Sequence, residues 1–154
     1  MRLTRDWFST DPPDAQDARQ LRRHVRAQIG RETGSLLRHG PPDHVVGTSK
    51  TFRQLARIAG AAPSGEGPYV KRVLRHAEIA ALAERLPKMS QAERAKLPGV
   101  SASRVAQLPA GAIVADAALD LLGSDQLELC PWALREGVIL RRLDMLAQGL
   151  EDDA

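Results

Sequence analysis

Two short stretches of the chain carry residue types that bind phosphate groups. Residues 45–52 read VVGTSKTF, and residues 130–140 read CPWALREGVIL. Each joins a short apolar segment, predicted to be a strand, to a polar turn that begins a helix. Such a junction directs unpaired backbone N–H groups and the positive end of the helix dipole at one point, where phosphate is the natural ligand. The two junctions together indicate phosphate chemistry.

In the first junction the candidate phosphate-binding residues are Gly47, Thr48, Ser49 and Lys50. Small side chains let a ligand approach the backbone, both hydroxyls and the following amides can donate to phosphate oxygens, and Lys50 adds a positive charge. Ser49 is also the residue type that an ordinary helix N-cap prefers, and the motif alone favours that interpretation. It is not a Walker A loop, because the GxxxxGK[ST] spacing is missing.

In the second junction the candidates are Arg135 and Glu136, at the start of the last predicted helix. Glu136 complements the helix dipole there, and Arg135 could reach a phosphate or pair with a carboxylate across a cleft. A purely structural ion pair explains the same two residues. Arg104 is a further phosphate-binding candidate with the same two interpretations.

The sequence predicts neither a metal site nor a catalytic residue within this chain. The four histidines, His24, His39, His44 and His76, lack HxxxH or HExxH spacing and are expected at the surface. Cys130 has no CxxC partner and is expected to be a buried, inert thiol. No G-x-S-x-G elbow supports serine catalysis.

Composition limits the class of protein. A chain of 154 residues suits one domain, and with 43% hydrophobic but only 3% aromatic residues its core must be built from Leu, Ile, Val and Ala, which favours helices. The net charge is +3, with no dense basic run of the nucleic-acid-binding kind. One cysteine, no signal-peptide core and no apolar run near the roughly 20 residues that cross a bilayer predict a cytoplasmic protein without a membrane partner.

Capping residues and apolar spacing predict mostly helices. The first begins at residues 11–13 with Asp11 as N-cap, ends at Gly30 and buries Leu21, Val25 and Ile29. A helix after the first junction ends at Gly60 and buries Phe52, Leu55, Ala56 and Ala59. Further helices are predicted at residues 77–86, after a capping box at residues 90–93, after an N-cap at Ser101 with an interruption at Pro109, at residues 112–122, and from about residue 134 to 146.

Strands are predicted at residues 44–46 and 126–130, while residues 69–75 fit either an extended segment or a helix start. The order of helix, strand, several helices, strand and helix belongs to the α/β class. Two strands are fewer than the three or more that an independently stable sheet usually needs.

Four segments, in order along the chain, resemble the Ppx/GppA family of exopolyphosphatases and guanosine pentaphosphate phosphatases. They are TSKTFRQLAR at residues 48–57, LPGVSASR at 97–104, AGAIVA at 110–115 and CPWALREG at 130–137. The resemblance extends from about Leu3 to Asp144.

The resemblance implies an actin-like ATPase (ribonuclease H-like) fold, in which two α/β lobes enclose a cleft that binds magnesium and a phosphoanhydride. It implies removal of terminal phosphate from polyphosphate or guanosine pentaphosphate, with an acidic residue activating water. This chain resembles a helix-rich, partial second lobe with a small incomplete sheet. Residues 1–146 are assigned to that lobe, and residues 147–154 are expected to form a frayed acidic tail.

The family's catalytic glutamate and Asp-x-Gly phosphate turns do not occur in this sequence. The leading expectation is therefore one lobe of a phosphohydrolase, inactive without a first lobe in trans and without a metal of its own. The alternatives are a non-enzymatic module that binds polyanions or pairs with a relative or with itself, and a remnant without function. The sequence leaves open the choice between polyphosphate and guanosine pentaphosphate, and whether Met1 is the true start.

Overall fold

The computed structural model describes residues 2–132 and 134–148. Its helices are α1 (Arg2–Trp7), α2 (Ala15–Leu36), α3 (Lys50–Ile58), α4 (His76–Arg85), α5 (Gln91–Ala95), α6 (Leu108–Leu122) and α7 (Leu134–Ala147). Its strands are β1 (Val46–Gly47), β2 (Val73–Arg75) and β3 (Gln126–Leu129), and short 3-10 turns occupy Leu37–His39, Ser64–Glu66, Leu86–Lys88 and Ala102–Gln107. The part of the predicted acidic tail beyond residue 148 lies outside the described residues.

The sheet has the order β1-β3-β2, so β3 is its central strand. β1 runs parallel to β3, with Val46 opposite Glu128, and the N–H of Cys130 donates to the carbonyl of Gly47 at 3.0 Å just beyond the pairing. β2 is antiparallel to β3, with Leu74 opposite Leu127. Because β1 and β3 are parallel, the turns that follow them lie at the same edge of the sheet.

Helix α6 forms the centre of the core and packs mainly against α2 and α4. Half of its buried positions are alanines, and the others are Leu108, Pro109, Ile113 and Leu119. Small side chains allow close approach of the neighbouring helices: a Cβ atom at Gly111 would lie 2.5 Å from Cγ2 of Thr51 in α3. The aliphatic core expected from the composition is therefore confirmed.

The helical stretch Ala102–Leu122 is long and apolar enough, by length and composition, to cross a membrane. This corrects the expectation that no apolar run approaches that length. Half of the stretch is buried inside the protein, because α6 packs between other helices rather than presenting its apolar residues outward. The length and apolar composition of this stretch are therefore those of a core helix in a folded domain.

Helix α2 begins and ends later than predicted. Its N-cap is Asp14, not Asp11, and it continues through Gly30 to Leu36. Nothing lies within 4 Å of a Cβ atom placed at Gly30, so that glycine is simply an open helical position. The expected buried face is present, with Leu21 and Val25 fully buried and Ile29 packed against the core.

The remaining elements follow the sequence more closely. The undecided residues 69–75 contain strand β2, which supplies the third strand that two alone would lack. The capping box is confirmed, because Ser90 and Glu93 bond each other's backbone N–H groups. Pro109 was wrongly expected to interrupt a helix: it lies in the first turn of α6, where its missing N–H costs no hydrogen bond.

Asp11 has a different function from the one predicted: it is the partner of a buried arginine. The side chain of Arg94 in α5 is 2% exposed, pairs with Oδ1 of Asp11 and donates to the carbonyl of Leu86 at 3.3 Å. The other carboxylate oxygen accepts from the N–H of Gln91 at 2.7 Å. Asp11 thus joins the segment before α2 to the start of α5.

Removing Asp11 should leave the Arg94 charge buried without its carboxylate. We expect Asp11→Ala to lower the free energy of unfolding by about 2 kcal/mol in urea denaturation, because Arg94 stays buried without its carboxylate while the 41% exposure of Asp11 reduces the cost. Asp6→Ala, which removes the exposed Arg5–Asp6 pair, is the matched control and should change it by about 0.5 kcal/mol or less. Equal losses in the two variants would contradict this account of Arg94.

The capping box should make stability depend on pH. Hydrogen bonds from the backbone N–H and the hydroxyl of Ser90 lower the pKa of Glu93 below its ordinary value. Because the folded pKa is the lower one, this contribution is complete above the unfolded pKa of about 4.3 and is lost as pH falls through the folded value. Glu93→Gln retains a capping side chain but does not titrate. The difference in unfolding free energy between wild type and Glu93→Gln should therefore be present at pH 7 and vanish in strong acid. Urea denaturation across this pH range measures it. A difference that does not change with pH would show that Glu93 does not make stability depend on pH.

Candidate functional site

The first predicted junction is a strand, a turn and a helix start, as the sequence indicated. β1 ends at Gly47, and Ser49 is the N-cap of α3, its hydroxyl accepting from the N–H of Phe52 at 3.2 Å. The N-cap interpretation of Ser49 is therefore confirmed. The amides of Lys50 and Thr51, in the first turn, have no acceptor within the helix and remain suited to an anion.

Gly47 is buried beneath the junction, whereas Thr48, Ser49 and Lys50 are exposed. A Cβ atom at Gly47 would lie 2.9 Å from Cδ1 of Leu127 and 3.1 Å from the ring of Phe52. The glycine thus has a packing role: it lets β1 and the start of α3 fit against the central strand. Access of a ligand to its backbone is not needed to explain it.

Lys50 and Arg104, two of the predicted candidates, line the same pocket of about 290 Å³. The other lining residues are Arg53, Gln54, Ser101 and Ser103, and we refer to these six residues as the cation pocket. Three of its members carry a positive charge and none carries a negative one. Such a site favours a ligand rich in anionic oxygens, which Arg and Lys bind through charge-assisted hydrogen bonds.

The two sides of the cation pocket are joined by a partly buried hydrogen bond. Nε2 of Gln54, a residue only 8% exposed, donates to the hydroxyl oxygen of Ser101 at 2.9 Å. Ser101 was expected to be a helix N-cap. It does occupy the N-cap position of the 3-10 turn Ala102–Gln107, but its hydroxyl makes no capping bond.

The LPG segment places Ser101 and Arg104 against α3. Gly99 has a φ of +75°, a left-handed conformation that glycine adopts readily, and a Cβ atom there would lie 2.6 Å from Cβ of Arg57. The N–H of Arg104 then donates to the carbonyl of Ser101 at 2.9 Å, beginning the 3-10 turn. Close packing at Gly99 therefore sets one wall of the cation pocket.

Arg53 is the main residue that the sequence analysis missed. Its Nη2 donates to the carbonyl of Pro131 at 2.9 Å, which joins α3 to the turn after β3. The signal was present in the sequence, because Lys50 and Arg53 are three residues apart and such residues share a helix face. The second junction thus contributes to this region through its backbone.

Arg135 and Glu136 lie in the first turn of α7 and do not line the cation pocket. Arg135 is exposed and Glu136 is half-buried. Glu136 is placed as expected for an acid near the positive end of a helix dipole. Of the predicted phosphate-binding residues, Arg135 and Glu136 therefore do not share the pocket of Lys50 and Arg104. Ala133, which precedes them in the chain, lies outside the described residues.

Within residues 2–132 and 134–148, no group of three or more His, Cys, Asp or Glu side chains could hold a metal ion. His39 and His44 are exposed as expected, but the ring of His24 lies against that of Trp7 in a tilted arrangement, with centroids 4.6 Å apart. Nε2 of His76 lies 3.1 Å from a carboxylate oxygen of Asp116. The described residues therefore do not by themselves supply a set of ligands for the magnesium ion that the resemblance implies.

Comparison with known proteins gives the family. Residues 1–146 match the model of the Ppx/GppA phosphatase family. The chain belongs to this family. Exopolyphosphatase 1 of Mycobacterium tuberculosis H37Rv is 47% identical over 148 residues, which are 96% of this Ppx/GppA chain and 43% of that protein. Exopolyphosphatase 1 of Mycobacterium leprae is 44% identical, over 96% of this chain and 44% of its own length.

Solved structures give the same result for the fold. A Ppx/GppA family member from Aquifex aeolicus matches with a TM-score of 0.77 and 22% identity, over 92% of this Ppx/GppA chain and 45% of its own. An exopolyphosphatase from Cytophaga hutchinsonii matches with a TM-score of 0.74 and 17% identity, over 97% and 47%. The chain spans less than half the length of these relatives, and the helix-rich partial lobe with a small sheet is confirmed.

Gly47 offers a test of how the first junction is packed. Gly47→Ala should lower the free energy of unfolding by about 1 to 3 kcal/mol, because the new methyl group overlaps Leu127 and Phe52. Gly30→Ala, in an open position within α2, is the control and should raise it by about 0.5 to 1 kcal/mol. Thermal or urea denaturation measures both, and a Gly47→Ala protein as stable as wild type would show that the junction has room.

Proposed function

We propose that this chain forms one wall of the phosphoanhydride site of an exopolyphosphatase-type phosphohydrolase, and holds terminal phosphates of polyphosphate or guanosine pentaphosphate. The observation that carries the proposal is the cation pocket, where Lys50, Arg53 and Arg104 meet without a lining carboxylate. Membership of the Ppx/GppA family and the mycobacterial exopolyphosphatases support the substrate class.

Cleavage, in this proposal, requires the other half of the family's fold. Phosphoryl transfer depends on positioning and charge stabilisation from both sides of the transferred group. The cation pocket supplies positive charge, but no acidic residue lines it to activate water. The water-activating carboxylate and the magnesium ligands would come from a first lobe, supplied in trans.

The exposed face of α7 supports a partner of this kind. In the part of the chain that the structure describes, α7 has no buried residue, and its apolar side chains include Leu134 (84% exposed), Val138 (59%) and Leu143 (55%). The edge strand β1 also exposes Val46. Large exposed apolar patches are typical of surfaces that another protein covers, either a first lobe or a second copy of this chain.

A non-enzymatic polyanion-binding module is the second candidate. It is favoured by one specific observation: the cation pocket has three positively charged lining residues and no acidic residue, so it offers charge to bind an anion but no carboxylate to activate water.

The binding part of the proposal is tested by removing pocket charges. Lys50→Gln and Arg104→Gln should each weaken binding of long-chain polyphosphate to the full chain by about tenfold in calorimetry, since each removes a charge-assisted hydrogen bond. Lys96→Gln, at an exposed lysine outside the pocket, is the matched control and should bind like wild type. Equal affinity in all these proteins would reject the cation pocket as the site.

The catalytic part is tested by phosphate release. With magnesium and polyphosphate, the purified chain alone should release no orthophosphate above a protein-free blank. Adding the remaining half of a mycobacterial exopolyphosphatase should start release. Activity of the chain alone would overturn the half-site proposal, and persistent binding without release in the mixture would favour the non-enzymatic module.

A further inference from the structure

A second pocket, of about 170 Å³, shares Arg53 with the cation pocket. Arg57 and Arg72 complete its basic lining, and its other walls come from residues 61–68 and from residues 129–131 at the end of β3. We refer to it as the arginine pocket. None of the residues predicted from sequence to bind phosphate lines it.

Arg72 is held rigidly in the wall of the arginine pocket. Its Nε donates to the carbonyl of Ala62 at 2.9 Å, and its Nη1 donates to those of Gly67 at 3.0 Å and Val70 at 2.8 Å. Its Nη2 donates to the carbonyl of Pro63 at 2.6 Å. Four of the five guanidinium N–H groups are thus engaged by backbone, which orders the loop and fixes the positive charge beside the cavity.

Arg57 and Arg53 keep more of their donors available. Arg57 donates from Nη1 to the carbonyl of Ala61, leaving its Nε and Nη2. Arg53 donates from Nη2 to the carbonyls of Pro131 at 2.9 Å and Cys130 at 3.5 Å. Its Nε has no hydrogen-bond partner among the described residues, but it is buried away from the cavity, so any donation to a ligand would come from the terminal nitrogens of the guanidinium group.

The three guanidinium groups also lack counter-charges. Across the described residues, no carboxylate forms a salt bridge with Arg53, Arg57 or Arg72, and no acidic residue lines the pocket. Like charges gathered around a small cavity repel one another, and an anion placed between them relieves that repulsion.

We propose that the arginine pocket binds one phosphate group, either free orthophosphate or a phosphate within a polyphosphate chain whose end occupies the cation pocket. Its volume of about 170 Å³ is small beside the roughly 300 to 1,000 Å³ of pockets that enclose larger organic ligands, which favours a small anion. Lys50, Arg53 and Arg57 follow one face of α3 at intervals of three and four residues, and connect the two pockets. The polyphosphate source rests on the proposed function, whereas orthophosphate binding does not.

The direct test is a titration of the full chain, isotope-labelled for NMR, first with orthophosphate and then with long-chain polyphosphate. Orthophosphate should shift the backbone amides of Ala61, Ala62 and Cys130 in a saturable way. An absence of shifts at these amides would overturn the proposal.

Variants separate charge from packing. Arg57→Gln should weaken orthophosphate binding about tenfold. Arg57→Lys keeps the positive charge but loses the planar, two-pronged set of donors, so its affinity should lie between those of wild type and Arg57→Gln. Arg31→Gln, at an exposed arginine of α2, is the matched control. Ala62→Leu should also weaken binding by filling the cavity, which keeps the proposal testable if Arg57→Gln does not fold. Wild-type affinity in both Arg57→Gln and Ala62→Leu would reject the site.

The same titration separates this inference from the proposed function. If polyphosphate shifts the amides of Ala62 and Cys130 but none around Lys50 and Arg104, binding in the arginine pocket is supported and binding in the cation pocket is rejected. If Lys50→Gln weakens polyphosphate binding yet leaves orthophosphate binding unchanged, the data support both the cation pocket and the arginine pocket. If orthophosphate shifts the amide of Arg31 as much as those at the arginine pocket, binding is nonspecific attraction to positive charge. That result would overturn the proposal.

Discussion

The close packing of α3 against the rest of the fold is the constraint on which the functional surface depends. Glycines make that packing possible at three contacts: Gly47 lies against Leu127 and Phe52, Gly99 against Arg57, and Gly111 against Thr51. At each contact a methyl group would overlap a neighbouring atom. Since α3 carries Lys50, Arg53 and Arg57, these backbone contacts determine where its positive charges point.

The cation and arginine pockets combine charge with hydrogen bonds that prevent collapse. Unpaired arginines on a flexible surface would turn to solvent or to the nearest carboxylate. Here Arg53 and Arg72 are held by backbone carbonyls, and Gln54 is held by Ser101, so the positive groups stay in place without an acidic partner. Preorganised donors of this kind lose little freedom when an anion binds, which favours affinity.

The lobe has two unlike surfaces. One end gathers α3, the LPG turn and the end of β3 around positive pockets, while α7 presents an apolar face. The chain spans less than half of its relatives' length. Under the proposed function, phosphate binding and partner binding would use different surfaces of this lobe.

How much the sequence predicted varied with the range of the interaction. Local patterns were sufficient for the Ser49 N-cap, the Ser90–Glu93 capping box, α7 and the α/β class, because each depends on neighbouring residues. The ordered motifs were sufficient for the family. Local patterns failed where a distant residue determines the role of a side chain. Asp11 pairs with Arg94, eighty-three residues away in the chain, and therefore does not cap α2.

The sequence by itself therefore determined the helical composition and the family, and it predicted phosphate binding at residues 47–50. Only the tertiary structure decided that Lys50 and Arg104 share a pocket, that Arg135 and Glu136 do not line it, and that Arg53 joins it to a second cavity. The physical reason is that a pocket forms between segments far apart in the chain. Its members are set by strand pairing and by the closeness that small residues allow, neither of which a local pattern records.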